Sequence, residues 1–281
     1  MDIELQIDNR CYGANLSQGQ SIAITLKPND KQPNHFGAPK CTSRTLEIGD
    51  YIGDTTRGGS CNVNILEIIP HCNGTHTESV SHIIDQLIPV YKTIENTIFP
   101  SVLISIEPEI GKNVSDGYIP DIDPNNLVIT RAKLENKLNE FSNQQLEGLV
   151  IRTLANNKNN ENKKTTTYNK LNYPPFFSND AMEYLVERQV KHLLVDFPSV
   201  DKMFDDGLLS NHRLFWNIAP NEKILSQNSN TRKTITEMVF INDKIVDGKY
   251  LCNLQCPEIE TDAVPSRPML YRLKLLYDTP T

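Results

Sequence analysis

The sequence has no run of roughly 18 apolar residues, which excludes an evident membrane-spanning helix. Met1-Asp2-Ile3-Glu4-Leu5 is not a basic stretch leading into an apolar one, so export is not expected. Positive charge is short as well. The 35 acidic and 28 basic residues give a net charge of -7, and the pI of 5.4 leaves no electrostatic footprint for nucleic acid or an anionic membrane. Cysteine is sparse for a chain this long. The six, at positions 11, 41, 61, 72, 252 and 256, are scattered, which favours reduced thiols and a cytoplasmic setting. Cys252 and Cys256 lie in an extended-looking segment and read as small buried residues rather than a zinc knuckle. Gly53-Asp54-Thr55-Thr56-Arg57-Gly58-Gly59-Ser60 lacks the Lys-Ser/Thr of a phosphate-cradling loop and reads as a tight turn.

What is present suffices for a core. A chain of 281 residues with 38% hydrophobic side chains, ten Tyr and nine Phe can bury one large domain. Ile22-Ala23-Ile24-Thr25-Leu26, Asn62 to Ile69, and Val102-Leu103-Ile104-Ser105-Ile106 have the pattern of strands. Pro70 is expected to close the second of these, and 108–126 reads as an irregular excursion rich in Pro, Gly and Asp. Leu149 to Leu154 and Val190 to Asp196 read as buried strands. Between them Ser178 offers a cap for a helix running to about Gln189, so strand, helix and strand make a β-α-β unit. The polar stretch Asn156 to Asn162 is expected to be a mobile surface loop. Thr234 to Ile241 and Met269 to Leu276 supply further strands, giving a mixed α/β fold.

The chemistry concentrates in Pro70-His71-Cys72-Asn73-Gly74-Thr75-His76-Thr77-Glu78-Ser79-Val80-Ser81-His82. Imidazole, thiolate and carboxylate are the usual protein ligands of Zn, Mn or Fe. His76 and Glu78, two residues apart, point the same way from an extended segment. Gly74 is expected to allow the bend that returns His71 or Cys72 to the same point.

This stretch resembles the HxGTHxDxPxH signature of the cyclase family, which includes kynurenine formamidases and isatin hydrolases. Gly74, Thr75, His76 and His82 match, Cys72 stands for the first His, Glu78 for the Asp and Val80 for the Pro. Arg152-Thr153, Val195-Asp196-Phe197-Pro198-Ser199-Val200-Asp201, His212, Glu237, and Asp262-Ala263-Val264-Pro265-Ser266-Arg267 resemble later family landmarks in the same order. The resemblance implies a swivelling β/β/α fold, a mixed β-sheet flanked by helices, forming a single domain over 1–281 with insertions near 108–126 and 221–233. It also implies a homo-oligomer, dimer or tetramer.

Carried across by residue, the resemblance makes His76 and Glu78 metal ligands, with His212 and Glu237 completing a second position and His82 as proton shuttle. Glu237 is thus a candidate for both binding and catalysis. The departure at the first position leaves open a Cys72 thiolate, substitution by His71, or the loss of one ligand. One or two divalent ions per chain, Zn or Mn, are expected. Arg57, Arg152 and Arg267 are candidates for holding a substrate carboxylate, because guanidinium pairs bidentately with carboxylate. The implied activity is hydrolysis of an aryl formamide or cyclic amide, a small-molecule substrate. The alternatives are a lactone or polyketide enzyme of the same fold, and a metal- or ligand-holding protein without turnover.

Overall fold

The computed structural model describes residues 1–154 and 163–278, so the polar loop expected at 156–162 lies outside the described residues. Its centre is a nine-stranded sheet. In chain order the strands are β1 (Gln20–Ser21), β2 (His76–Glu78), β3 (Ile98–Ile106), β4 (Gly148–Thr153), β5 (His192–Val195), β6 (Thr234–Glu237), β7 (Gly248–Asn253), β8 (Ala263–Pro265) and β9 (Met269–Arg272). They lie side by side as β8-β2-β6-β5-β4-β3-β7-β9-β1. The four central strands β3 to β6 are parallel, and antiparallel strands extend the sheet on both sides.

Parallel neighbours require crossovers, and helices supply them. Helix α1 (Pro70–Asn73) precedes β2, α2 (Arg131–Leu138) joins β3 to β4, α3 (Asn179–Glu187) joins β4 to β5, and α4 (Ser210–Trp216) joins β5 to β6. Leu134, Leu138, Met182, Leu185, Phe215 and Trp216 of α2 to α4 pack against Leu149, Ile151, Leu193 and Val195 on one face. The alternate residues Val150 and Leu194 meet Phe99, Val239 and Tyr250 on the other. Both faces of the central strands are therefore apolar, as their unbroken hydrophobic runs required.

Several expected boundaries shift for local reasons. Ile22 to Leu26, expected as a strand, makes only an isolated bridge of Ala23 to Val239 beyond β1, with Ile22 N–H donating to Pro268 O and Ile24 N–H to the Thr75 hydroxyl. Pro70 opens α1 rather than merely ending a strand, its missing N–H costing nothing at the first helical position. β6 stops at Glu237 because Met238 has φ +53°, a left-handed conformation that turns the chain. Met269 to Leu276 divides between β9 and a strand Lys274–Asp278 that pairs with Arg10–Asn15. Ser178 caps α3 as expected, its hydroxyl accepting Ala181 N–H, and Gln189 at φ +58° follows its end. Segment 108–126 holds the short strand Glu109–Ile110 and one 3-10 turn and is otherwise irregular.

Candidate metal centre

Strand β2 lies between β6 and β8, with His76 opposite Glu237 and Glu78 opposite both Ile235 and Ala263. Its alternation sends His76 and Glu78 to one face, both fully buried. Thr77 is engaged elsewhere, its hydroxyl 2.8 Å from those of Thr236 and Ser266. Upstream, α1 is a single turn closed by the Asn73 side chain, which accepts Ile69 N–H at 2.7 Å. That turn brings His71 Nδ1 to 3.1 Å from Glu78 Oε2. The bend is made by the helical turn; Gly74, at φ 172°, is extended backbone that any residue adopts.

His82 follows β2 on a 3-10 turn capped by the Ser79 hydroxyl. His212 arrives from α4, whose first turn is fixed by Asp201: one carboxylate oxygen accepts Asn211 N–H, the other His212 N–H and its Nδ1–H. Among the described residues, three sets of donor atoms each lie mutually within 4.8 Å: His71, His76 and Glu78; Glu78, His82 and His212; and His71, His82 and Asp262. Glu78 joins the first two.

Outer contacts orient the rings. His76 Nδ1 donates to Gly74 O at 2.9 Å, and His212 Nδ1 to Asp201 at 2.5 Å, so both Nε2 atoms turn inward. A ring nitrogen held by a carbonyl or carboxylate while the other is free for an ion is the usual arrangement of metal-binding histidine. His212 Nε2 is 2.9 Å from Glu78 Oε1, and His76 Nε2 is 3.4 Å from Glu237 Oε2. Among the described residues neither His76 Nε2 nor Glu78 Oε2 has a hydrogen bond although both are buried; His71 approaches Glu78 Oε2 without bonding geometry. Buried polar atoms are seldom left so, and a cation fits this donor set.

The electrostatics agree in sign. Burial disfavours charge on His71, but Asp262 and Glu78 outweigh it and raise the imidazole to about 10. Burial likewise opposes charge on His212, and Glu78 with Asp201 overcomes it, holding the ring well above its usual range. Burial would raise Glu78, yet His82, His212 and His71 keep it well below the ordinary carboxylate range. Protonated imidazoles thus supply positive charge around a buried carboxylate, and an ion bound there would compete with those protons.

The expected site residues separate into those the fold converges and those it does not. His71, His76, Glu78, His82 and His212 converge, with Glu237 alongside while also accepting Val200 N–H at 3.0 Å. Cys72 is half-buried on α1 and outside the converging sets, His71 taking the inward position; burial and the charge of Glu237 raise the Cys72 thiol pKa. Arg152, expected as a substrate anchor, is buried and engaged with Ser105, the carbonyls of Asn242 and Ile245, and Asp247. The register that sets Arg152 opposite Ser105 fixes it in that network. Arg57 lies on an exposed 3-10 turn, paired with Glu47 at 2.5 Å. Arg267 is exposed, next to Ser266, whose N–H bonds Thr75 O.

Two carboxylates were not anticipated as site residues. Asp262 lies 2.9 Å from His71 Nε2 and 3.6 Å from His82 Nδ1, and Asp201 orients His212. His35 was also missed. It is 3% exposed, with no hydrogen-bond partner on either ring nitrogen among the described residues, and its backbone N–H donates to Cys72 O. Burial, then the nearby His76, lowers His35 to about 4.

The cyclase family model matches residues 14–202. No curated protein matches the chain. In fold it is similar to an isatin hydrolase bound to the product analogue thioisatinate, at 15% identity and TM-score 0.60 over 92% of this chain and 93% of that one. Isatin hydrolase A from Ralstonia solanacearum is similar at 13% identity and TM-score 0.59, over 90% and 91%. A protein described as a predicted metal-dependent hydrolase from Bacillus stearothermophilus is similar at 15% identity and TM-score 0.57, over 90% and 98%.

Proposed function

This chain belongs to the cyclase family, and on that footing we propose that it is a metal-dependent hydrolase cleaving the carbon–nitrogen bond of an aryl formamide or cyclic amide. The observation that carries the reading is the convergence of half-buried His71 with buried His76, Glu78 and His212, two of whose buried donor atoms have no hydrogen bond among the described residues. These residues would hold one or two divalent ions, Zn or Mn, with Glu237 beside them. Such an ion polarises a carbonyl and lowers the pKa of water to about 7.

The protein's own groups supply the rest. His82 is partly exposed at the edge of the cluster, 4.0 Å from Glu78 and 3.6 Å from Asp262, and takes the proton of the attacking water. It returns that proton to the departing nitrogen as the C–N bond breaks, leaving an amine and a carboxylic acid that ionises by releasing its proton to solvent. Asp262 holds the ring in place. Phe36, Tyr173 and Phe204 form an exposed aromatic group, with ring centres of Phe36 and Tyr173 6.2 and 5.9 Å from Phe204. His35 links it to α1, which supports an aromatic substrate beside the cluster. Arg267, exposed and without a carboxylate partner among the described residues, would receive a substrate carboxylate. Two of the similar structures are isatin hydrolases, and isatin is a cyclic amide. A dimer or tetramer in the cytoplasm completes the proposal.

The test is turnover of an aryl formamide, isatin and a lactone by protein loaded with Zn or Mn. Amide cleavage abolished by a chelator and restored by the ion supports the proposal. Failure to cleave any amide after loading overturns it, and cleavage of the lactone alone moves the reaction to C–O bonds.

A further inference from the structure

Away from the metal cluster, a cleft of about 810 Å³ opens at the N-terminal ends of the parallel strands, where Glu147, Lys191 and Lys233 immediately precede β4, β5 and β6. Its ionic groups do not balance. Arg232 pairs with Glu95 at 2.9 Å and Lys191 with Glu147 at 3.0 Å, which leaves Lys233. Lys233 is only 9% exposed, and its ammonium lies 4.7 Å from the centre of the Phe215 ring without a carboxylate partner among the described residues. An aromatic face returns only part of the hydration an ammonium loses on burial.

The neutral wall of the cleft is biased toward donors. Asn143 accepts from Arg188 through its side-chain oxygen, and Gln144 accepts Asp8 N–H through its own. Their NH₂ groups have no hydrogen-bond acceptor among the described residues. One surplus positive charge and free amide donors match an acceptor-rich monoanion better than a phosphate dianion, in a chain whose net charge is otherwise -7. We propose that this cleft is a second ligand site, taking a small organic carboxylate anchored on the Lys233 ammonium. Burial also pulls the Lys233 amine down to about 8, the behaviour of an ammonium lacking its counter-ion.

The test uses sodium benzoate as probe and inorganic phosphate as comparison. The intact protein is treated at pH 8 with a small amine-acylating reagent, and modification of Lys233 and the exposed Lys244 is read by peptide mass spectrometry. Benzoate should slow modification of Lys233 tenfold or more, saturably, with Lys244 unchanged and phosphate slowing Lys233 less than twofold. Equal slowing at both lysines, or none at Lys233, overturns the site; protection by phosphate as strong as by benzoate overturns the ligand class. Thermal unfolding gives a second readout. Lys233→Met should melt higher than wild type in the absence of anion and lose the benzoate-dependent rise in Tm, while Lys233→Arg and Glu78→Gln retain it. A normal rise in Lys233→Met, or its loss in Glu78→Gln, contradicts the assignment.

Discussion

His71 and His212 at one end of the central strands and His192 and Lys233 at the other carry opposite shifts, according to whether a carboxylate lies against each. At the C-terminal end, His71, half-buried, and His212, fully buried, lie against carboxylates and are held in the charged form. At the N-terminal end, His192 stacks on Phe99 at 4.2 Å and Lys233 lies over Phe215, and burial without a carboxylate lowers both, to about 4 and about 8. Desolvation opposes charge everywhere; a neighbouring anion decides whether it prevails. The cluster is thus arranged to accept a cation, and the opposite cleft is left short of an anion.

Removing the central carboxylate should break this contrast most severely. Glu78→Gln keeps the shape of the side chain, and amide hydrolysis should fall by roughly 10³-fold or more, measured as kcat/KM with added ion. Turnover within tenfold of wild type would show that the carboxylate is dispensable. His82→Ala should lower kcat by roughly 10²–10⁴-fold while bound metal stays constant, which separates proton transfer from ion binding. An unchanged kcat would remove His82 from the reaction.

Asp201→Asn tests whether the outer carboxylate matters to the cluster's character. It should weaken metal affinity by about 10–100-fold through loss of the His212 orientation, measured by competition with a chromophoric chelator. Because Asp201 also binds the first turn of α4, a fall in Tm should accompany the effect.

The smallest effect concerns the opposite end. His192 has its folded pKa lowered from 6.5 to about 4, so as pH falls through that window the unfolded chain binds the proton first and stability is lost. The loss attributable to this residue is up to about 3 kcal/mol by pH 4. His192→Gln should show a correspondingly shallower decline in denaturant midpoint between pH 6.5 and 4. His71 has the opposite sign: its contribution is present below pH 6.5 and fades as pH rises toward about 10.

What the sequence revealed followed from local rules. The alternation of His76 and Glu78, the buried runs of β4 and β5, and the Ser178 cap depend on neighbours a few residues away. The pairing of His71 with Asp262 spans 191 residues and that of Arg152 with Asp247 spans 95, and no local pattern encodes such a distance. Asp201 and Asp262 lay inside recognised segments, but their local sequence carries no sign of which imidazole each would face. His71 and Cys72 are adjacent on one helical turn, so their directions differ by about 100°, and only the placement of α1 decides which turns inward.

The most direct measurement is metal content by elemental analysis of protein purified without chelator, with Cys72→Ser and Glu78→Gln beside the wild type. The account predicts one or two ions per chain in wild type, the same in Cys72→Ser, and a sharp fall in Glu78→Gln. Wild-type protein that holds no ion even after reconstitution with Zn or Mn would contradict it.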